Sequence, residues 1–439
     1  MSPSHDTTDS LAKLIAASDK GRILLVSHNF PPTQGPESSL VKLNTQDLLR
    51  RGWNLSVLTT TMEHMHQGMD KEMMNGLPAD LEIIRTPSYD AILRRRWPWF
   101  ARIILTVLRR WILPEVFLLW LFSSVPAGKQ WLKKYGPTII YSRATKHVSN
   151  VTAWYLKRAT GLPWVAHFSD PWVDPPFPRL IIWIGRYFEK RIFRDADAIV
   201  VVNSKLAEYF LRMYPHARDK THVIPHAYAP LDAPLSPTEK AESRPLVAIH
   251  AGSFIPTLRE PDIFFEAISQ LNKKTKLEGV FQLICVGEDT TRYQPLVDKL
   301  ELGGIIRLLG SVSYAESRKM IAASDLLVVL DTPNEGGVYL PTKLVEYLAF
   351  SKPILGLTEP GSAVHEVLEY CGLFFGNQGS PEKIVDALET ILTQWHGGTL
   401  VLSDFSRLKA LDYRIDKVND QLDSLFENLK STYSGFSQR

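Results

Sequence analysis

The chain has 439 residues, 45% of them hydrophobic and 22% charged, which is enough length for two domains with their own cores and excludes a disordered or fibrous chain. A formal net charge of +3 is too small to make nucleic acid a partner on electrostatic grounds. The two cysteines, Cys285 and Cys371, exclude a disulfide framework, lack metal-ligand spacing, and lie in apolar runs ("QLICVGE", "EYCGLFF") that suit buried thiols and a reducing cytoplasm.

Residues 1–20 are polar, of mixed charge and without the apolar centre of a signal peptide, so no fixed structure is expected there. Short β-rich runs then alternate with longer amphipathic ones. In the first half the expected strands are 22–28, 54–60, 81–87, 138–144, 163–169 and 198–204. The first of them runs into "NFPPTQGPESS", where Gly35 stands between prolines ahead of Glu37, Ser38 and Ser39. That loop suits either a ligand-facing helix start or a proline-stiffened turn. Between the third and fourth strands lies a basic aromatic segment, 94–125. Phe100, Ile103, Ile104, Val107, Leu108 and Trp111 recur at helical spacing, with Arg102, Arg109 and Arg110 pointing elsewhere. A basic amphipathic helix bearing tryptophan suits an anionic membrane surface, and it equally suits a helix pair covering the first sheet. It is not a span, because the apolar run is short and holds Pro114 and Glu115. The fifth strand ends in "AHFSDPWVDPP", which crowds His167, Ser169 and Asp170 at one strand end. A carboxylate there can orient substrate hydroxyls or stabilise developing positive charge; the alternative is a side-chain cap on the following segment.

A proline-rich polar stretch, 229–245, reads as a linker. Beyond it the expected strands are 245–253, 281–288, 305–312, 326–331, 353–358 and 372–377. Near-continuous apolar strands separated by helix-length segments indicate parallel sheets covered on both faces. The fold class is therefore α/β, with two doubly wound Rossmann-like domains facing across a cleft. Ligands of such sheets bind beyond the carboxyl ends of the strands. The first strand of the second half ends "HAGSFIPTLREPD", where Gly252 and Ser253 permit close backbone approach and Arg259 offers a planar fork suited to a diphosphate. In "NEGGVYLPTKLVEYLAFSKPILGL" (334–357), Pro341 suits the first helical position. The amides of Thr342 and Lys343 would then face outward, Lys343 adding charge, with Glu346 and Tyr347 on the same face. A basic anion site with a carboxylate beside it suits a ligand carrying both phosphate and hydroxyls, such as a nucleotide.

These pieces, in this order, resemble retaining GT-B glycosyltransferases of family 4, especially those of bacterial surface-polysaccharide synthesis. The likeness runs over 22–375 through "NFPPTQG", "GLPWVAHFSDPW", "RDADAIVVVNS", "HAGSF" with Arg259, "LICVGE", "LGSVSYAESRKMIAASDLLVVLD" and "LPTKLVEYLAFSKPI". The resemblance implies a cytoplasmic enzyme, peripheral at the inner face of the cell membrane, that moves a sugar from a nucleotide sugar to a glycan or lipid-linked acceptor with retention. It divides the chain into an acceptor-binding domain (21–228), a nucleotide-sugar-binding domain (246–411) and a C-terminal helix (412–439) that crosses back to the first domain. It implies that Thr342, Lys343, Arg259, Gly35, Gly252 and Ser253 line the donor, that Glu346 binds the ribose, and that Ser311 and Val312 lie against the base. Catalysis would rest on Asp170, Arg259 and Lys343. No metal or cofactor is called for, since the helix dipole, Lys343 and Arg259 can neutralise the departing diphosphate. Three positions depart from the family's pattern. Val338 stands where many members carry a sugar-contacting glutamate, with Glu335 nearby as a candidate substitute. Ser253 replaces an arginine, and the paired glycines of the first loop are reduced to Gly35 followed by Pro36. The residues also leave open a nucleotide-sugar epimerase on the same fold and a silent nucleotide-sugar-binding partner.

Overall fold

The computed structural model describes residues 20–61, 68–89, 116–136, 139–144, 146–172, 179–231, 244–256, 258–333 and 336–436. The chain divides into two compact units: Met1–Pro225 with Ile415–Arg439, and His226–Arg414.

The first unit is built on a parallel sheet of strands β1 (Arg22–Val26), β2 (Asn54–Thr60), β3 (Glu82–Thr86), β4 (Ile139–Ala144), β5 (Trp164–Phe168), β6 (Ala198–Val201) and β7 (Thr221–Val223). Their order in the sheet is β3-β2-β1-β4-β5-β6-β7. Winding reverses between β1 and β4, which makes their carboxyl ends the unit's switch point. Helices α1 (Pro36–Arg50), α2 (Leu121–Tyr135), α3 (Val148–Thr160), α4 (Arg179–Asp195) and α5 (Ser204–Met213) connect the strands. Six of the strands lie where apolar runs predict them, trimmed by a residue or more where a cap takes over. The run expected over 198–204 stops at Val201, because the Asn203 side chain accepts from the Leu206 amide at 2.7 Å and starts α5. Strand β7 was not expected: "THV" is three residues, half exposed and at the sheet edge, and carries no periodic signal.

The second unit carries β8 (Leu246–Ala251), β9 (Phe281–Val286), β10 (Ile306–Gly310), β11 (Leu326–Leu330), β12 (Ile354–Thr358) and β13 (Phe374–Asn377), ordered β10-β9-β8-β11-β12-β13 and all parallel. Its helices are α6 (Asp262–Lys274), α7 (Gln294–Lys299), α8 (Tyr314–Ala323), α9 (Thr342–Leu348), α10 (Ala363–Tyr370), α11 (Pro381–His396) and α12 (Asp404–Ala410). The switch point falls between β8 and β11. Alternation along a strand explains the unbroken apolar runs. Leu326, Val328 and Leu330 join the core shared with α6 and α11, whereas Leu327 and Val329 join the core shared with α9 and α10. Both cysteines are buried and free, and burial pushes the Cys371 thiol up to about 12.

Helix α13 (Ile415–Phe436) belongs to the first unit. Phe426 packs edge-on against Trp53 and Tyr141, Asn419 donates to Asp47 at 3.0 Å, and the Trp53 indole N–H donates to Asp423 at 2.7 Å. Just before the linker, Tyr228 is buried in the second unit and bridges to Arg414, while 232–243 lies outside the described residues.

The basic aromatic segment falls largely on 90–115, outside the described residues, and so do Arg94, Phe100, Val107 and Trp111. Its C-terminal end is core. Trp120 is fully buried, donates its indole N–H to Thr86 at 2.8 Å and meets the His28 ring edge-on. Phe122, two residues on, is 70% exposed. No helix among the described residues is long and apolar enough to cross a membrane.

Candidate active site

In the second unit the switch point is assembled by backbone before any side chain is added. The last amide of β8, at Ala251, donates to the buried Tyr347 hydroxyl at 2.8 Å and so fastens α9 to the strand end. Gly252 N–H continues onto the Val286 carbonyl at 2.8 Å. Gly287 follows with φ of 150°, and a Cβ there would stand 2.4 Å from the Gly252 carbonyl oxygen, so only glycine fits. Gly252 and Ser253 are partly buried on this surface. Beneath them lies a residue that sequence reasoning missed, His250. It is buried, stacked on Phe254 at 5.2 Å, and its Nδ1 lies 3.0 Å from the Val328 carbonyl. That carbonyl can only accept, so Nδ1 carries the proton. Burial, with Arg259 and Lys343 adding to it, lowers the His250 pKa to about 4. The imidazole is neutral, and both cations act on one strand end.

Arg259 closes a tight turn: Ile255 N–H donates to the Arg259 carbonyl at 2.9 Å and Arg259 N–H returns to the Ile255 carbonyl at 2.7 Å. Its guanidinium is partly buried and donates to the Thr332 hydroxyl through Nε (3.2 Å) and Nη2 (2.9 Å). Burial lowers the guanidinium's pKa, and the neighbouring Asp331 charge opposes that shift.

Helix α9 corrects one expectation. Pro341 is the N-cap and not the first helical residue; its φ of −57° fits a helix but its ψ of 125° is extended, so the seven-residue helix begins at Thr342. Lys343 and Glu346, read as two separate ligand contacts, meet each other: Lys343 Nζ is 2.9 Å from Glu346 Oε2. The other carboxylate oxygen accepts from the Tyr314 hydroxyl at 3.0 Å and lies 3.7 Å from Arg318 Nη1, which in turn donates to Tyr314 at 3.3 Å. Tyr314 and Arg318 went unread; the one available signal was their spacing of four residues just past Ser311 and Val312. Those two are exposed on the loop entering α8. Thr342 is partly buried at the α9 start, and Val338 is 1% exposed, its side chain in the interior. Glu335 lies outside the described residues.

In the first unit, Gly35 is the N-cap of α1 with φ of 122°, a conformation that glycine alone takes freely. Pro36 opens the helix, and Glu37 turns inward to an ion pair with the buried Arg143 at 3.1 Å. Asp170, past β5, is partly buried, and its carboxyl is pushed up to about 7, first by burial and then by the Glu37 charge. The Glu37 charge, in the first turn of α1, thus acts on Asp170 past β5 in the first unit. Arg259, Lys343 and Glu346 gather on the second.

Two doubly wound parallel-sheet units in one chain define a GT-B fold. Two family models match on them: the glycosyl transferase 4-like domain over 45–227 and the glycosyl transferases group 1 model over 235–399. The chain is a glycosyltransferase. Among solved structures it is similar to sucrose-phosphate synthase from Thermosynechococcus elongatus, with 15% identity, a TM-score of 0.63, and coverage of 94% of this chain and 99% of that one. A glycosyltransferase from Rickettsia africae matches at 14% identity and a TM-score of 0.64, covering 94% and 99%. Anabaena HepE, solved in complex with UDP and glucose, matches at 16% identity and a TM-score of 0.61, covering 93% and 100%. No curated protein sequence matches the chain.

Proposed function

We propose that the chain transfers a hexose from a nucleotide sugar, bound by the second unit, to a glycan or lipid-linked acceptor met by the first. The observation that carries this is the grouping of Arg259, Lys343 and Glu346 around the β8 end and the α9 start: two cations whose charge reaches the same buried His250, one of them paired with a carboxylate. Glu346 accepts from ribose hydroxyls. Thr342, Lys343, Gly252, Ser253 and Arg259 hold the diphosphate, and Ser311 and Val312 lie against the base. As the bond from the anomeric carbon to the diphosphate oxygen breaks, negative charge gathers on the diphosphate. Arg259 and Lys343 therefore act most strongly in the transition state. Asp170, on which the Glu37 charge acts in the first unit, orients the acceptor hydroxyl. Similarity of fold to HepE, whose structure holds UDP and glucose, supports a UDP-sugar among the donors to try first. Retention, independence of metal and a place in surface-polysaccharide or glycolipid synthesis belong to the same reading. So does a cytoplasmic location with peripheral attachment through 94–125.

The test is a thermal-shift screen of nucleotide sugars, since a ligand that binds only the folded chain raises its melting temperature by mass action. At least one donor should stabilise the wild type and lose that effect in Glu346→Ala. A chain that no nucleotide sugar stabilises refutes the proposal. Product analysis without acceptor separates transfer from epimerisation, which would yield an altered free nucleotide sugar.

A further inference from the structure

Arg259 closes a surface turn that opens at Ile255, not a helix or strand, and Ile255 and Leu258 of that turn are 38% and 51% exposed. Something other than its backbone must fix its guanidinium. We infer that Thr332, held by Asp331, is the positioning residue that sets the Arg259 fork for departure of the diphosphate. This rests on the reading of Arg259 given above.

Two N–H groups of the guanidinium converge on the one Thr332 oxygen, at 3.2 and 2.9 Å, which fixes the plane of the fork. Of an arginine's five N–H donors, three then remain for a ligand. Thr332 is itself anchored to the sheet. Its amide donates to Asp331 Oδ1 at 2.7 Å, and Asp331 Oδ2 accepts from the Thr358 hydroxyl at 2.6 Å. Thr358 lies 2.7 Å from the Ser362 hydroxyl, the N-cap of α10, and Gln378 beyond β13 donates to the Asp331 carbonyl at 3.3 Å. The chain of bonds thus runs from a side chain on one loop to the ends of three adjacent strands. The chemistry of the contact matters as much as its rigidity. Asp331 is buried, and direct pairing with it would cancel the charge that a diphosphate needs. A neutral hydroxyl as the guanidinium's partner orients it and leaves its charge available, while the nearby Asp331 charge opposes the lowering of its pKa by burial.

The experiment compares Thr332→Val, Thr332→Ser, Arg259→Ala and the double variant Thr332→Val/Arg259→Ala. Binding of UDP, GDP and ADP is measured against uridine, guanosine and adenosine, and kcat and KM are measured with whichever nucleotide sugar turns over. Thr332→Val should lose about tenfold in the preference for diphosphate over nucleoside, the scale of one hydrogen bond to a charged group, and kcat should fall more than KM rises. Thr332→Ser should stay within about twofold of wild type, and the double variant should match Arg259→Ala alone, because the two residues act as a unit. If Thr332→Val does not fold, Thr332→Ala carries the same comparison. A wild-type preference and kcat in the Thr332 variants, with Arg259→Ala impaired, overturns the positioning role and leaves the reading of Arg259 standing. An Arg259→Ala enzyme with unchanged diphosphate preference overturns that reading, and the role of Thr332 with it. Lowered melting temperature with no selective loss marks Thr332 as structural only and also overturns the proposal.

Discussion

Glu346 accepts from Lys343 on its own helix and from Tyr314 on α8, with the Arg318 guanidinium of α8 3.7 Å away. It is the residue most exposed to test. Glu346→Ala should weaken nucleotide binding by about 1.5–3 kcal/mol, the range for a hydrogen bond to a charged group, as read by calorimetry, with little change in melting temperature. Unchanged affinity would remove the ribose role. Asp170 offers a test in pH. Its carboxyl titrates near 7 in the folded chain, raised by burial and by Glu37, against about 3.9 in an unfolded one. Between those values the folded chain holds a proton that the unfolded chain has released. Stability is therefore highest below the unfolded value and falls as pH rises towards 7. Asp170→Asn should flatten that part of the melting-temperature profile and remove an acid limb near pH 7 from kcat/KM; a limb that survives the substitution belongs to another group. At this scale the sequence was legible where chemistry is local. Lys343 and Glu346, three apart on one helix, were placed on one face, though their ion pair was not read. Thr332 and Arg259 are 73 apart, and nothing short-range joins them.

Strand ends and helix starts form the site's frame, and Gly287 carries part of it. Gly287 has a left-handed φ and its hydrogen faces backbone, with a Cβ falling 2.4 Å from the Gly252 oxygen and 2.9 Å from the Ser253 nitrogen. Neither atom can rotate away as a side chain would. Gly287→Ala should therefore cost more than the roughly 1–3 kcal/mol of a strained backbone alone, and it should displace Gly252 and Ser253. Gly136→Ala is the control: it too has positive φ, but open space around it, so only the conformational cost of about 1–2 kcal/mol applies. Urea unfolding of the two variants measures the difference, and equal losses would mean that the close approach is not a constraint. The elements themselves were readable because a strand buried on both faces must be apolar throughout. What could not be read was the pairing of Ala251 with Tyr347, since a phenol inside an amphipathic run looks like any core aromatic.

Across the whole molecule, the first unit is closed by its last helix. Phe426 is fully buried against Trp53 and Tyr141. Phe426→Ala should cost about 3–5 kcal/mol, confined to the first unit. In calorimetry the transition of that unit should fall while the other keeps its midpoint, and a uniform shift of both would contradict two separately cored units. The attachment of the enzyme also belongs to this scale. If 94–125 meets an anionic membrane, each basic residue near the surface contributes about 1 kcal/mol, screened by salt. Co-sedimentation with anionic vesicles at low salt should then be clear, weaker with neutral vesicles, and abolished by replacing Arg94, Arg95 and Arg96 with glutamate. A wild-type protein that stays in the supernatant at low salt rules the attachment out.

By itself the sequence determined the two parallel sheets, their covered faces and the loops where chemistry gathers. Hydrophobic period and turn residues act over a few positions and survive any change elsewhere in the chain. Tertiary structure alone decided which distant groups meet: Thr332 with Arg259, Tyr314 with Glu346, Glu37 with Arg143, and α13 with α1 across 372 residues at Asn419 and Asp47. Those contacts are single polar pairs or one packed face. They carry no repeat along the chain, and they exist only because the sheets bring their strand ends and covering helices to the same place.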